Sequence, residues 1–229
     1  MKKTYAKSII RTVRGSLSRF FAIFAIVALG SGFLAGVLAS PLDMRISADS
    51  YWDDTDMFDL RALSTQGLTA ADIEALSQLE GVESVMPAYD MDLVMLSSQG
   101  DAYTTRLHSL PQADAPQLNQ PVLLEGRMPE KAGECAVIVS RSFRKEDWVG
   151  QTLAPNPEED HENLPKELTV VGTVRSALYI SLENEHSTAG AGSLELKLYT
   201  PPETFDQDYY TTAYLNITGG KELNAFYKD

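Results

Sequence analysis

The sequence has little cysteine and few basic residues, and both shortages limit what the protein can be. Among 229 residues there is one cysteine, Cys135, which excludes an internal disulfide framework and a cysteine-based zinc cluster. Because it lies in the apolar stretch CAVIV, it is expected to be a buried core thiol. Lys and Arg number 19 against 32 Asp and Glu, for a net charge of −13. From residue 41 onward, 13 basic and 32 acidic residues give −19. Phosphate backbones would repel such a domain, so a nucleic-acid partner is not expected.

Charge is also missing from one long segment near the N-terminus. No charged residue lies between Arg19 and Asp43, and residues 20–39 read FFAIFAIVALGSGFLAGVLA. A helix of that length spans about 30 Å, the thickness of a bilayer core. The sequence predicts a transmembrane helix over residues 20–40 that ends at Pro41. The alternative is a cleaved signal peptide, but its apolar region is usually only about 7–15 residues long.

The residues before this segment are basic and patterned. All six basic residues of the first 42 precede Phe20, which predicts a cytoplasmic N-terminus and an extracytoplasmic domain over residues 41–229 of a cell-membrane protein. Apolar residues recur at helical spacing opposite the basic ones, so residues 1–19 are predicted to form a basic amphipathic helix on the inner leaflet. An ordinary positive flank is the simpler alternative.

Two sets of residues are candidate interaction sites. Small residues every four positions form a stripe that lets another membrane helix approach closely, although small residues are common in such helices anyway. This helix-packing stripe consists of Ala28, Gly32, Gly36 and Ser40. The basic face of the first helix is the candidate contact with the inner leaflet, through Lys3, Lys7, Arg11 and Arg14.

The outer domain begins with a strand–helix–strand pattern. A strand-like alternation at residues 58–63 precedes a helix over 69–79, for which Thr69 is the expected N-cap and Gly81 the end. Residues 82–88 read as a strand, expected to lie parallel and next to the first one. Two more strands are predicted at 91–97 and 102–109, around the turn residues 99–101.

The remaining sequence predicts an inserted subdomain and then a return of the chain to the first subdomain. Residues 111–204 hold nine of the eleven prolines and several short β-like runs, which favours an inserted, mostly-β subdomain between 41–110 and 205–229. Residues 211–218 predict a strand, followed by a helix from Lys221 that the chain leaves unfinished, so we expect a fragment of a longer protein. The predicted fold class is α+β: one N-terminal transmembrane helix, then βαβ (ferredoxin-like half) units with the inserted subdomain.

Motifs for catalysis or cofactor binding are missing. The sequence has neither GxxxxGK[ST] nor GxGxxG, and no cofactor is expected. The three histidines, His108, His161 and His186, lack metal-ligand spacing and are expected in loops or exposed positions. The acidic run 158–162 reads as a solvated loop rather than a Ca²⁺ site, and residues 190–192 as a loop without a phosphate-binding role.

Several stretches resemble FtsX-like ABC transporter permeases of Gram-positive bacteria with a MacB-type extracytoplasmic core domain. The first is KSIIRTVRGSLSRFFAIFAIVALGSGFLAG at 7–36, and the second is the segment from SADSYWDD to GVESVMPAY at 47–89. The resemblance continues with LLEGRMPEKAGECAVIV at 123–139, VGQTL at 149–153 and LTVVGTV at 168–174. It ends with the segment from SALYISLEN to KELNAF at 176–226.

This resemblance implies a function. Such permeases are dimeric, non-enzymatic membrane subunits with four membrane segments, and a separate cytoplasmic ATPase drives their outer domain by mechanotransmission. The implied partners are that ATPase, a second permease copy, the bilayer, and an extracytoplasmic cargo or cell-wall protein that the sequence does not identify. The alternative is a single-span, membrane-anchored extracellular binding or adaptor module. A hydrolase ranks last, because no cluster of polar residues demands a catalytic pocket.

Overall fold

The structure, a computed structural model, describes residues 2–139, 147–159, 163–180, 185–187, 189–190 and 192–226. It divides into two units, the residues up to Ser50 and those from Tyr51 onward, each described here by itself. The helices are α1 (Lys2–Gly15), α2 (Leu17–Asp54) and α3 (Ala70–Ser77). The strands are β1 (Leu60–Leu68), β2 (Val82–Ala88), β3 (Asp90–Ser97), β4 (Ala102–Ser109), β5 (Val122–Gly126), β6 (Glu134–Ile138), β7 (Thr152–Pro155), β8 (Leu168–Arg175), β9 (Leu196–Thr200) and β10 (Tyr210–Ile217). An apolar N-terminal helix followed by a sheet-rich domain confirms the predicted α+β class.

Helix α2 is longer than the sequence predicts. It continues through Pro41 to Asp54, so the expected end at Pro41 is wrong. Proline removes one backbone donor and displaces one carbonyl, a disturbance that helices of membrane type tolerate. The hydroxyl of Ser31, inside the apolar run, donates to the carbonyl of Val27 at 2.8 Å. That polar group is therefore satisfied within the helix.

A three-stranded antiparallel sheet has the order β1-β10-β2. The C-terminal strand is central, with Leu215 facing Leu60 of β1 on one side and Val85 of β2 on the other. The predicted adjacency of β1 and β2 is therefore wrong: they run parallel, but β10 lies between them. A crossover helix fixes the direction of its two strands and leaves room for a third between them.

Helix α3 covers one face of this sheet. Thr69 is its N-cap, as predicted: the Thr69 hydroxyl accepts from the backbone N–H of Asp72, and the Asp72 carboxylate accepts from the N–H of Thr69 at 2.8 Å. This reciprocal pair satisfies two donors that a helix start leaves free. Ile73 and Leu76 pack on Val85 and Leu215 of the sheet.

The other seven strands form a sheet that closes into a small barrel. Its order is β5-β8-β6-β9-β4-β3-β7, and β7 also pairs with β8, the neighbour of the end strand β5, which closes the sheet. Strand β5 remains outside this closure, as an edge strand on β8. Closure removes the free edges of the six strands that take part.

Alternate residues of the barrel strands fill its interior. Cys135 is fully buried there, so the sequence-based assignment as a core thiol is confirmed, and burial raises its pKa. Gly172 is needed where β8 meets the turn after β5, because an added Cβ would collide with the carbonyl oxygens of Glu125 and Arg127. The fully buried interior also includes Leu93, Met95, Leu107, Val137, Leu153, Leu196 and Leu198.

Two further sequence expectations differ from the structure. Strands β3 and β4, which fall within the predicted first subdomain of 41–110, hydrogen-bond into the seven-stranded sheet. Judged by its hydrogen bonds, the chain passes from the three-stranded to the seven-stranded sheet at Tyr89. The predicted domain boundaries remain predictions. After β10 only a 3-10 turn, Gly220–Glu222, replaces the predicted helix as far as Phe226, and Tyr227 lies outside the described residues. The central position of β10 also removes the argument that it lacks a partner.

Candidate functional site

The C-terminal end of α2 is tied into the outer domain by hydrogen bonds. Thr55 is buried, and its hydroxyl donates to the carbonyl of Tyr51 at 2.8 Å. The carbonyls of Thr55 and Asp56 accept from the backbone N–H groups of Gln120 and Asn119, at 2.9 and 2.8 Å. Carbonyls at a helix end need such partners. We call Tyr51–Asp59 together with Asn119 and Gln120 the α2 anchor.

Asn119 is the central side chain of the α2 anchor. It is buried, and its Oδ1 accepts from the backbone N–H of Phe58 at 3.0 Å. Its backbone has φ 54°, a left-handed conformation that asparagine tolerates better than most residues. Residue type, backbone geometry and hydrogen bonding therefore agree at this position.

The α2 anchor also contacts β10 and the segment after it. The backbone N–H of Asp59 donates to the carbonyl of Leu215 at 2.9 Å, and the Asp59 carboxylate accepts from the N–H of Ile217 at 2.8 Å. The ring of Trp52 stacks on Phe226 with centroids 5.0 Å apart. The end of α2 is thus held to the central strand of the three-stranded sheet.

A buried carboxylate, Asp90, joins the two sheets. It lies where β2 gives way to β3, and it accepts from Arg61 Nη2 of β1 at 2.5 Å and from the Tyr214 hydroxyl of β10 at 2.8 Å. Its other oxygen is 2.5 Å from His108 Nδ1 of β4. The backbone N–H of Asp90 donates to the Thr211 hydroxyl. We call Asp90 with Arg61, His108 and Tyr214 the Asp90 cluster.

The groups of the Asp90 cluster shift the pKa values of Asp90 and Tyr214. Burial raises the pKa of the Asp90 carboxyl, but the opposing effects of His108, Arg61 and Tyr214 are larger together, so its pKa lies below the usual value. Burial and the Asp90 charge raise the pKa of Tyr214, which keeps its hydroxyl protonated as a donor. Charge-assisted hydrogen bonds of this kind are stronger than neutral ones.

His108 corrects one sequence expectation. It lies within β4, is buried, and bonds both Asp90 and the Tyr179 hydroxyl, so its predicted loop or exposed position is wrong. Its buried environment depends on partners distant in sequence. His186 is exposed, as expected, whereas His161 lies outside the described residues. Of the acidic run only Glu158 and Glu159 are described, and of the glycine loop only Gly190 and Gly192.

The predicted interaction residues all lie in the first unit. The small-residue stripe of α2 is exposed, and an added Cβ at Gly32 or Gly36 meets no atom within 4 Å. Lys7, Arg11 and Arg14 are exposed on α1, whereas the side chain of Lys3 lies outside the described part. The structure leaves these surfaces free for partners. The α2 anchor and the Asp90 cluster were missed, because no local motif marks them.

The outer domain also carries an open cleft of about 880 Å³ beside the ends of β3 and β7. Its lining is mostly apolar, with hydroxyl, amide and charged groups among it. It includes Leu96, Ser97, Pro155, Asn156, Leu164 and Lys166. Among the described residues no group of three or more His, Cys, Asp or Glu side chains could hold a metal ion.

The sequence matches the family of the MacB-like periplasmic core domain over residues 20–227, and the chain belongs to this family. One similar solved structure is the extracellular domain of the noncanonic ABC-type transporter YknZ from Gram-positive bacteria, at 12% identity and TM-score 0.44, covering 69% of this chain and 78% of that one. Another is the periplasmic region of MacB from Actinobacillus actinomycetemcomitans, at 16% identity and TM-score 0.40, covering 72% and 69%. No curated protein sequence matches.

Family membership confirms the resemblance read from the sequence. The sheet-rich domain is the extracytoplasmic domain of an FtsX/MacB-like ABC transporter permease, and permease domains of this family are not themselves enzymes. Within the described part of the chain, α2 is the helix long and apolar enough to cross a membrane. Together the family and this helix indicate a membrane-anchored protein.

Proposed function

We propose that this chain is part of a permease subunit in which a separate cytoplasmic ATPase changes the conformation of the outer domain. The N-terminus and α1 lie in the cytoplasm, α2 crosses the membrane and the sheets lie outside. A second copy of the permease completes the assembly. The cargo is a lipid, peptide or lipoprotein for export, or the outer domain controls a cell-wall hydrolase.

The α2 anchor is the observation that carries this proposal. A helix that only tethers a domain can end in a flexible linker. Here the two carbonyls that directly follow α2 accept from the N–H groups of Asn119 and Gln120, and Asp59 bonds β10 within a few residues. A displacement of this helix end therefore pulls on a loop and on the central strand of a sheet. Because the Asp90 cluster bonds both sheets, it would transmit this displacement from the three-stranded sheet to the barrel.

The first experiment interrupts the α2 anchor. Two glycines inserted after Asp54 disconnect the helix from Thr55, while two glycines inserted after Gly100 in the exposed β3–β4 turn serve as the matched control. The tagged chain is purified from its source membranes with its bound proteins, and a spin label on exposed Glu74 reports the distance between the two copies. We expect ATP to change this distance in the unmodified and control chains and not after the Asp54 insertion.

The ATPase measured in the same preparations separates transmission from assembly. Hydrolysis should continue in the Asp54 insertion, because the ATPase contact lies on the other side of the membrane. A nucleotide-dependent distance change that survives this insertion contradicts the role of the α2 anchor. The absence of any co-purifying ATPase contradicts the permease proposal as a whole.

Variants of the first unit test its partners. Reversing the charge at Lys7 and Arg11 to Glu should reduce the co-purifying ATPase, while the exchange of Lys for Arg and Arg for Lys keeps it. Leu at Gly32 and Gly36 should weaken assembly of the permease, because the stripe loses its close helix contact. Leu at Gly30 is the matched control, since it lies off the stripe and its added Cβ also meets open space. Unchanged assembly rejects the packing role.

The open cleft favours a second candidate, an anchored binding or adaptor module. Its volume of about 880 Å³ and mixed lining are typical of sites for small molecules or short peptides. A binding module needs no cytoplasmic ATPase. If the chain is purified from its source membranes alone, while a Leu96→Glu variant of the cleft loses a ligand that the unmodified chain retains, this second function is preferred.

A further inference from the structure

A small cavity lies between the α2 anchor and the Asp90 cluster. Its volume is about 10 Å³. By the usual measure, a cavity of about 10–15 Å³ holds one water molecule, and such a water needs two to four polar partners. The polar side chains among its lining residues are those of Asp90, His108, Ser109, Asn119, Tyr199 and Tyr214.

Asn119 brings an unpaired donor to this cavity. Its side chain is more than nine-tenths buried, and its Nδ2 has no hydrogen-bond partner among the described residues. The amide orientation is set, because Oδ1 must face the backbone N–H of Phe58, which donates to it at 3.0 Å. A buried amide donor without a partner is unfavourable, and native proteins pair nearly all such groups with protein or with water.

Two other lining groups have unused hydrogen-bonding capacity. Ser109 Oγ accepts from the N–H of Tyr89 at 2.9 Å, and its own proton has no acceptor within the described part of the chain. The Asp90 carboxylate offers about four acceptor positions. Arg61, Tyr214 and His108 occupy three of them. The cavity thus combines two free donors with one free acceptor position.

We propose that this cavity binds one buried water molecule. The water accepts from Asn119 Nδ2 and Ser109 Oγ and donates to the Asp90 carboxylate, which completes the hydrogen bonding of all three groups. It also joins the α2 anchor to the Asp90 cluster in one continuous path that reaches β4 of the barrel. The site does not depend on the proposed permease function, since its partners are set by the fold alone.

The test observes water at the Asn119 side chain directly. The full ¹⁵N-labelled chain in detergent micelles is examined by NMR for cross-relaxation between the Asn119 amide protons and water. Asn119→Asp, which retains the acceptor for Phe58 and tolerates the left-handed backbone, identifies these resonances by their loss. We expect nuclear and rotating-frame Overhauser effects of opposite sign, as a long-lived bound water produces.

Asn156 is the matched control. Its Oδ1 also accepts from a backbone N–H, that of Glu158, but its side chain lines the open cleft, where waters exchange quickly. Its two effects should have the same sign. The proposal is overturned if Asn119 behaves like Asn156, which indicates exposed water, or if Asn119 shows no cross-relaxation with water, which indicates a dry cavity.

Discussion

In the barrel, six strands close around a core of fully buried aliphatic side chains. Most of these side chains come from strands that are hydrogen-bonded neighbours in the sheet. The three-stranded sheet has a smaller apolar core, to which α3 contributes. Asp59 joins this sheet to the end of α2, and Asp90 joins it to the barrel. Apolar packing is non-directional and tolerates small shifts. Charged hydrogen bonds are directional and are lost when geometry changes. The barrel is therefore held mainly by non-directional packing, whereas the three-stranded sheet depends more on directional polar contacts.

The largest expected effect is in the barrel. Leu198 is fully buried between β6 and β4, and Leu198→Ala should lower the free energy of unfolding by about 3–5 kcal/mol, through lost burial and the cavity left behind. Urea unfolding of the full chain in detergent measures it, followed by the fluorescence of buried Trp148 in a Trp52→Phe background. Leu123→Ala on the exposed edge strand β5 is the control and should cost far less. Equal losses contradict the description of the barrel as the main core.

The next effect is in the Asp90 cluster. Asp90→Asn keeps the shape but removes the charge that Arg61, His108 and Tyr214 share, and should cost about 2–3 kcal/mol of unfolding free energy. Because folding lowers the pKa of Asp90, its contribution is present above its unfolded pKa of about 4 and is lost as the pH falls through the folded value. Urea unfolding as a function of pH should therefore show a smaller acid loss in Asp90→Asn. Asp114→Asn, at an exposed carboxyl in the loop before β5, is the control, and equal acid sensitivity of all three proteins argues against a special role of Asp90.

The smallest effect is at the start of α3. Thr69→Ala removes the acceptor for the N–H of Asp72 and should cost about 1 kcal/mol. It should leave the Trp148 signal of the barrel unchanged, because α3 packs only on the three-stranded sheet among the described elements. Ser77→Ala, near the other end of the same helix, controls for loss of an exposed hydroxyl. Hydrogen exchange of α3 and β10 amides measures the difference, and faster exchange throughout the barrel would falsify the separation of the two regions.

Features set by neighbouring residues could be predicted from the sequence. The capping of α3 by Thr69 and the turn at residues 99–101 each depend on a short stretch of chain. The buried Cys135 followed from the apolar residues around it. The candidate membrane span in α2 followed from the length of its apolar run. In all these cases the physical cause lies within a few residues.

The remaining features depend on long-range pairing. Asp90 meets partners 18, 29 and 124 residues away, so no local pattern distinguishes it from other acidic residues. The place of β10 between β1 and β2 is set by hydrogen bonds across about half the chain or more. The unpaired Nδ2 of Asn119 becomes visible only when the loop before β5 meets the end of α2. The continuation of α2 past Pro41 departs from the local signal of a proline, in a segment whose side chains are exposed.

The central position of β10 has a consequence for folding on the way out of the cell. Strands β1 and β2 emerge first during synthesis, yet among the described strands each has β10 as its only hydrogen-bonded neighbour. Closing a loop of this length costs entropy before any pairing is gained. Most paired strands of the barrel are closer in sequence, so the barrel can assemble earlier. The edges of β1 and β2 that face β10 stay unpaired until then. Such edges are templates for pairing with other chains, and the exposure of the facing edges of β1 and β2 ends when β10 arrives between them.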